Sequence, residues 1–308
     1  MNTNNQGRMS NPPSTHLTLY DIASRPNTCF APNPWKARFA LNFKALPYRT
    51  IWVPVPDIPT LRSETLRLPP TRFYADGSPY ATLPILHDPN ASPTPSTHDA
   101  GSNSDPENHR PRGALIGDSF DIATHLETQY PLSGTGRLFP PIKDLLAPSS
   151  TIEDTIFPIP LSEVRAQSPH VQYSRFNNQV DALFSAHVQL MAYYMPLDPS
   201  SAEATKAVFM RRAGVSSWED FRLEGDKREA MKESLRDALG VHLVELLRRD
   251  ESGPFVLGER ATYADFIVGA WLKMIERTVP GEWEEMRGWH GGVFGELHDA
   301  LEKFAEVT

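Results

Sequence analysis

A single cysteine, Cys29, in 308 residues leaves the chain without an internal disulfide or a cysteine-built zinc site, and it suits a reducing compartment. Basic residues are outnumbered 30 to 38, giving a net charge of −8. No basic cluster interleaved with aromatics is present, so nucleic acid is not expected as the main partner. Long apolar runs are missing as well. The longest, Phe266 to Ile275, falls far short of the roughly 20 residues needed to span a bilayer, and no membrane partner is expected. The ten histidines are scattered, without a His-x-x-x-His spacing and acidic support, so no metal site is expected. There is no P-loop, no glycine-rich dinucleotide loop and no serine nucleophile elbow. Residues 1–15 are Asn/Ser/Pro-rich with no apolar core, unlike a secretory signal, and the expected location is the cytosol.

What is present falls into two halves. Leu17 to Ile22 alternates as a first strand, and a helix is expected from about Pro34, with Trp35, Phe39, Phe43 and Leu46 on one face. Tyr48 to Val55 reads as a second strand, residues 57–75 as at most a short irregular helix, and Asp76-Gly77 as a turn. Ile85–His87 and Ala114–Ile116 read as further strands, with a helix from about Ser119 to Tyr130. Between those strands, residues 89–112 hold no large apolar side chain and are expected to be a disordered insertion. Residues 1–15 form an expected disordered tail, 16–131 a first domain, 132–150 a linker and 151–308 a helical domain. Helices are expected near 153–166, 171–195, 201–213, 226–249, 262–279 and 290–306, with Thr262 and Asp265 as an N-cap pair.

Two short stretches carry the functional signal. In Tyr80-Ala81-Thr82-Leu83-Pro84-Ile85, the proline opens a buried strand at a position that spares its missing N–H and favours a cis bond. A cis bond there turns the Leu83 N–H and C=O outward, able to pair with an extended peptide. In Gly117-Asp118-Ser119-Phe120, a strand gives way to a helix through an acid and a hydroxyl. Such a terminus binds carboxylates, and the acid can hold an ammonium group. An edge for a peptide backbone and an end for a zwitterionic amino acid describe a γ-glutamyl peptide site. The plainer use of Asp118 and Ser119 is simple helix capping.

Pro84 and the Asp118-Ser119 pair resemble the cis-proline and acid-serine motifs of the glutathione transferase superfamily. More narrowly, the run from Ala31 to Lys44, then Leu46-Pro47-Tyr48, Asp76-Gly77-Ser78-Pro79-Tyr80 and Thr262-Tyr263-Ala264-Asp265, resembles its fungal class A and etherase-related members over roughly residues 16–305. The resemblance implies an α+β thioredoxin-like N-terminal domain followed by an all-α C-terminal domain. It also implies glutathione as co-substrate, bound through Thr82, Leu83, Pro84, Asp118 and Ser119. The implied activity is conjugation of glutathione to a small hydrophobic electrophile, an aromatic compound or a secondary metabolite, and homodimers are common among such proteins.

The chemistry requires lowering the pKa of the glutathione thiol, because the thiolate is the nucleophile. The fungal relatives supply a serine hydroxyl, whereas the matching window here reads Phe30-Ala31-Pro32-Asn33, and Ala31 has no proton to offer. Main-chain N–H groups after Ala31 and the Asn33 amide remain as donors. Cys29 either packs inertly, the commoner fate of a lone cysteine, or supports thiol-transfer chemistry as a glutathione-dependent reductase. A carrier that binds glutathione with little turnover is the further alternative. Tyr20, the donor type of animal classes, reads as core. Arg72 and Lys44 are candidates for the glycyl carboxylate. Tyr193-Tyr194-Met195, Trp218 and Trp271 read more as core than as an acceptor pocket.

Overall fold

The computed structural model describes residues 16–25, 28–70, 72–74, 76–92, 113–145 and 168–308. The expected tail, helix 153–166 and most of the insertion lie outside them. The first half is a mixed sheet in the order β2-β1-β5-β6, formed by β1 (Leu17–Ile22), β2 (Tyr48–Val53), β5 (Ile85–Asp88) and β6 (Ala114–Ile116). β1 runs parallel to β2, and the other neighbours are antiparallel. The two-residue strands β3 (Arg72–Phe73) and β4 (Pro79–Tyr80) form a small hairpin around the Asp76-Gly77 turn that the strand patterns did not foreshadow.

Helix α1 (Pro32–Phe43) joins β1 to β2 and begins two residues before the expected Pro34. Pro32 is tolerated there because a first-turn N–H has no intrahelical partner. The irregular segment holds more helix than expected: Val55–Asp57, then α2 (Ile58–Thr60), then a wide turn over Leu61–Thr65 in which the Leu66 N–H reaches the Leu61 carbonyl. α3 (Ser119–Gln129) follows β6.

The second half is helical, comprising among others α4 (Val171–Ala186), α5 (Ala202–Ala213), α6 (Gly225–Leu239), α7 (Tyr263–Thr278), α8 (Pro280–Met286) and α9 (Val293–Leu301). The helix expected over 171–195 breaks at His187, and the last helix starts at Val293, after His290, Gly291 and Gly292 in left-handed conformations. α7 is buried nearly all round. Its start is fixed as expected: the Thr262 hydroxyl accepts from the Ala264 N–H, and Asp265 accepts from the Thr262 and Val256 N–H groups at 2.7 and 2.8 Å.

The halves share one core. Phe39 and Phe43 of α1 pack on Phe266 of α7, with ring centroids 5.6 and 5.4 Å apart. In the stretch expected as a linker, Leu138, Phe139, Ile142 and Leu145 are buried, and Phe139 lies against Phe120, Tyr173 and Tyr263. Between α1, α4 and α7, the fully buried Lys36 ammonium donates to Asn33 Oδ1 (3.1 Å), Asn177 Oδ1 (2.9 Å) and Asp181 Oδ1 (2.5 Å). The Trp271 indole N–H donates to the same Asp181 oxygen at 2.8 Å. Trp271 is therefore core, as expected, and stacks on Phe184.

Asp181→Ala strands the Lys36 charge without its counter-ion, so denaturant titration is expected to show a loss of about 3–5 kcal/mol. A charged contact within the helical half, between α7 and α9, is readable by pH. Burial pushes the Glu276 carboxyl up, but hydrogen bonding with His298 and the Lys273 ammonium outweigh it and hold its pKa at about 2, down from 4.5. The stability this contributes is present above the unfolded value and is lost as pH falls from about 4.5 to about 2. Glu276→Gln is expected to flatten that acid limb in thermal melts.

Candidate functional site

The sheet register brings the candidate segments to one end of the molecule. β1 ends at Ile22, Tyr20 pairs with Ile85, and Leu86 pairs with Ile116. The loop from β1 to α1, the residues before β5 and the residues after β6 therefore emerge side by side. The Leu83–Pro84 peptide bond is cis, as the sequence suggested. Leu83 is buried, and neither its N–H nor its C=O meets a partner among the described residues. That leaves one short edge of main chain with both groups to offer. The Asp118 carboxylate caps α3, accepting from the Phe120 N–H at 2.8 Å, and Ser119 is buried beside it.

Ala31 is the residue before α1, extended and without a side-chain cap. The first helical turn then reads Pro32, Asn33, Pro34, and two of these three residues have no N–H at all. The Trp35 N–H already donates to the Ala31 carbonyl. Of the main-chain donors expected after Ala31, the turn thus retains that of Asn33. The Asn33 side-chain oxygen accepts from Lys36, which fixes the amide across the domain joint.

Several sequence-based assignments need correction. Cys29 is 2% exposed, and its thiol donates to Asp21 Oδ2 (3.1 Å), an oxygen that also accepts from the Arg38 guanidinium at 2.8 Å. Burial, reinforced by Asp21, pushes the Cys29 thiol well above its usual pKa, the opposite of what a thiolate needs. Lys44 is also fully buried, paired with Glu127 at 2.9 Å and donating to the Gly136 carbonyl, so it does not reach for a ligand carboxylate. The side chain of Arg72 lies outside the described set. Tyr20 packs in the small cluster around Val53, Leu83 and Ile85, and burial raises its phenol pKa, which fits the core reading. Tyr193, Tyr194, Trp218 and Phe221 instead form a partly exposed aromatic group on the helical half.

Two residues at the candidate site were given no role there from the sequence. Tyr263, the first residue of α7, donates its hydroxyl to the Ser119 carbonyl at 3.0 Å and so ties the start of α3 to the helical half. Arg62, 2% exposed, donates to the carbonyls of Pro69 (2.9 Å), Thr82 (3.1 Å) and Gly117 (3.2 Å). Arg62 lay in a stretch read as irregular, and nothing periodic marked it.

Among the described residues, one group has metal-ligand proximity: Glu276, His298 and Glu302, with ligand atoms within 4.8 Å. The Lys273 ammonium already bridges both carboxylates, so a cation's place is filled. No described helix is long and apolar enough to cross a membrane.

Comparison with known proteins identifies the family and the fold. The family model described as "Glutathione S-transferase, N-terminal domain" matches residues 30–129, and "Glutathione S-transferase, C-terminal domain" matches residues 173–304. The chain is 25% identical over 297 residues to the "Glutathione S-transferase-like protein ustS" of Aspergillus flavus, covering 94% of this chain and 91% of that one. A glutathione S-transferase of Ceriporiopsis subvermispora, crystallised in complex with glutathione, superposes with a TM-score of 0.70 at 26% identity, covering 95% of this chain and 99% of that one. A glutathione transferase of Phanerochaete chrysosporium superposes with a TM-score of 0.68 at 22% identity, covering 95% and 98%, and supports the fold. With both of its halves matched and the cis-proline edge in place, the chain belongs to the glutathione S-transferase superfamily.

Proposed function

We propose that the chain binds glutathione and conjugates its thiol to a small hydrophobic electrophile, an aromatic compound or secondary metabolite held against the helical half. The observation that carries this reading is the Leu83 main chain, unpaired among the described residues, beside the cis-proline, at the same sheet end where β6 runs out into Asp118 and Ser119. The tripeptide's cysteinyl backbone pairs with Leu83 as an added strand does. Its γ-glutamyl ammonium meets the Asp118 carboxylate, and its α-carboxylate meets the positive end of α3. This puts the cysteinyl sulfur toward the start of α1. The thiol proton passes to solvent, the thiolate attacks the electrophilic carbon, and a carbon–sulfur bond forms as the leaving group departs or a conjugated double bond takes up a proton.

Activation of the sulfur rests on few donors. Without a hydroxyl at residue 31, and with prolines at 32 and 34, the Asn33 main-chain N–H and side-chain amide carry the stabilisation, each charge-assisted bond being worth about 1.5–3 kcal/mol. This thin set favours one second reading, a glutathione-binding carrier with slow turnover. The reductase alternative has no support, because its thiol is buried and protonated.

Calorimetric titration with glutathione is expected to show binding, and its absence sinks the reading. Ala31→Ser is expected to raise conjugation of an electrophilic chlorodinitrobenzene on the order of 10- to 100-fold. The same change caps α1 through the Asn33 N–H, adding about 1 kcal/mol of stability. An unchanged rate places thiolate activation elsewhere. Cys29 in the folded protein is expected to resist an aromatic disulfide reagent at pH 8 and to react only on addition of denaturant. Prompt labelling would restore the reductase.

A further inference from the structure

Arg62 differs from the other buried arginines described. Arg38 and Arg228 each face a carboxylate within 2.8 Å, Asp21 and Glu282 respectively. The hydrogen bonds of Arg62 go instead to three main-chain carbonyls. A guanidinium is costly to bury against neutral acceptors, and burial accordingly lowers its pKa while the Asp118 carboxylate opposes the effect. Two of the three carbonyls belong to the segments that meet at the candidate glutathione site. Thr82 directly precedes Leu83, and Gly117 directly precedes Asp118. A single Nη1 atom bridges them, at 3.1 and 3.2 Å.

Gly117 provides a second, independent observation. A Cβ built on it would lie 2.4 Å from Arg62 Nη2. The absence of a side chain there is therefore what lets the guanidinium reach the strand end. A flexible side-chain tip normally yields to such a clash, but Arg62 is enclosed and held at three carbonyls, so yielding means losing them. The wide helical turn at Leu61–Thr65 contributes as well: it carries Arg62 where the helix departs from regular winding, a feature often found at functional sites.

We propose that Arg62 is a positioning residue for glutathione, fixing the spacing between the Leu83 edge and the α3 start so that one tripeptide meets both anchors at once. This deepens the functional reading above and rests on it. A ligand that spans two anchors gains affinity when they are held at the right separation beforehand, and loses it when each must be found separately. Arg62 touches neither the sulfur nor the acceptor, so its effect falls on glutathione binding and not on the chemical step.

The test uses the full chain with Arg62→Lys, which keeps the charge but loses the two-pronged donor, and separately with Gly117→Ala, which displaces the guanidinium without altering it. Glutathione affinity is read by calorimetry, and steady-state conjugation is measured with chlorodinitrobenzene. The expected result for both variants is a glutathione Kd and KM raised about tenfold, as for the loss of roughly 1.4 kcal/mol. The kcat at saturating glutathione and the KM for the electrophile are expected to stay within about twofold of wild type, since the acting groups are unmoved. Wild-type glutathione affinity in either variant, when folded by circular dichroism, overturns the proposal. So does a rise in electrophile KM or a fall in kcat matching the change in glutathione KM, which would mark general loosening. If Arg62→Lys does not fold, Gly117→Ala decides. If the wild-type chain itself does not bind glutathione, the functional reading fails, and this proposal with it; wild-type binding with unaltered variants overturns the Arg62 role alone.

Discussion

The Lys36 ammonium, sealed between the two halves, is the contact on which the arrangement of the site depends. It sits at the start of the second turn of α1 and meets Asp181 and Asn177 of the helical half as well as Asn33 beside the candidate sulfur position. Removing a charge from water costs several kcal/mol, which only good geometry offsets. Asp181 supplies that geometry because Trp271 and Asn177 hold it in turn, at 2.8 and 3.2 Å. The orientation of α1 against the helical half is thereby set by a polar network inside an otherwise apolar joint. Tyr263 repeats the device at α3, donating to Ser119 from the capped start of α7. Both helix starts that face the proposed ligand are thus positioned by the second half of the chain.

How far this was legible in the sequence depends on the range of the interactions. Pro84, Asp118, Thr262 and Asp265 act on residues within a few positions, and their local chemistry marked them correctly as turn, cap and strand start. Lys36 and Asp181 lie 145 positions apart, and Tyr263 and Ser119 lie 144 apart. No local pattern encodes such pairs, so nothing in the sequence marked Lys36 as a buried charge. Lys44 failed for the same reason: its partner Glu127 comes from α3. For Cys29 the inert reading holds over the thiol-transfer one: proximity to a helix start along the chain says nothing of direction, and the thiol turns inward to Asp21 and Arg38. Pro34 was read only as a helix opener, and Pro32 was placed before the helix. Their second consequence, two missing donors, matters once the turn faces a sulfur.

The two functions of the proposed site are unequally provided for. Recognition has an unpaired edge at Leu83, a capped and buried helix start at Asp118–Ser119, and a buried arginine tying the two together. Thiolate stabilisation, as proposed, rests on the amide groups of Asn33, with no hydroxyl at residue 31. A site of this kind retains its co-substrate while leaving more of the barrier to the electrophile's own reactivity. The electrophile best matched to it is one whose leaving group or conjugated double bond is already strongly activated, because nothing at residue 31 compensates for a sluggish one.

Recognition through main-chain groups also shifts where sequence constraint falls. The Leu83 N–H and C=O would be offered equally well by another residue, provided the backbone is held the same way. The identities that matter are those that place the backbone: Pro84 for the direction of the chain, Gly117 for the approach of the guanidinium, and Arg62 for the separation of the two segments. Two of these three contact no ligand in the proposed pose. In the proposed reading the site thus rests on a handful of residues that set main-chain positions, and it tolerates wide change in the side chains between them.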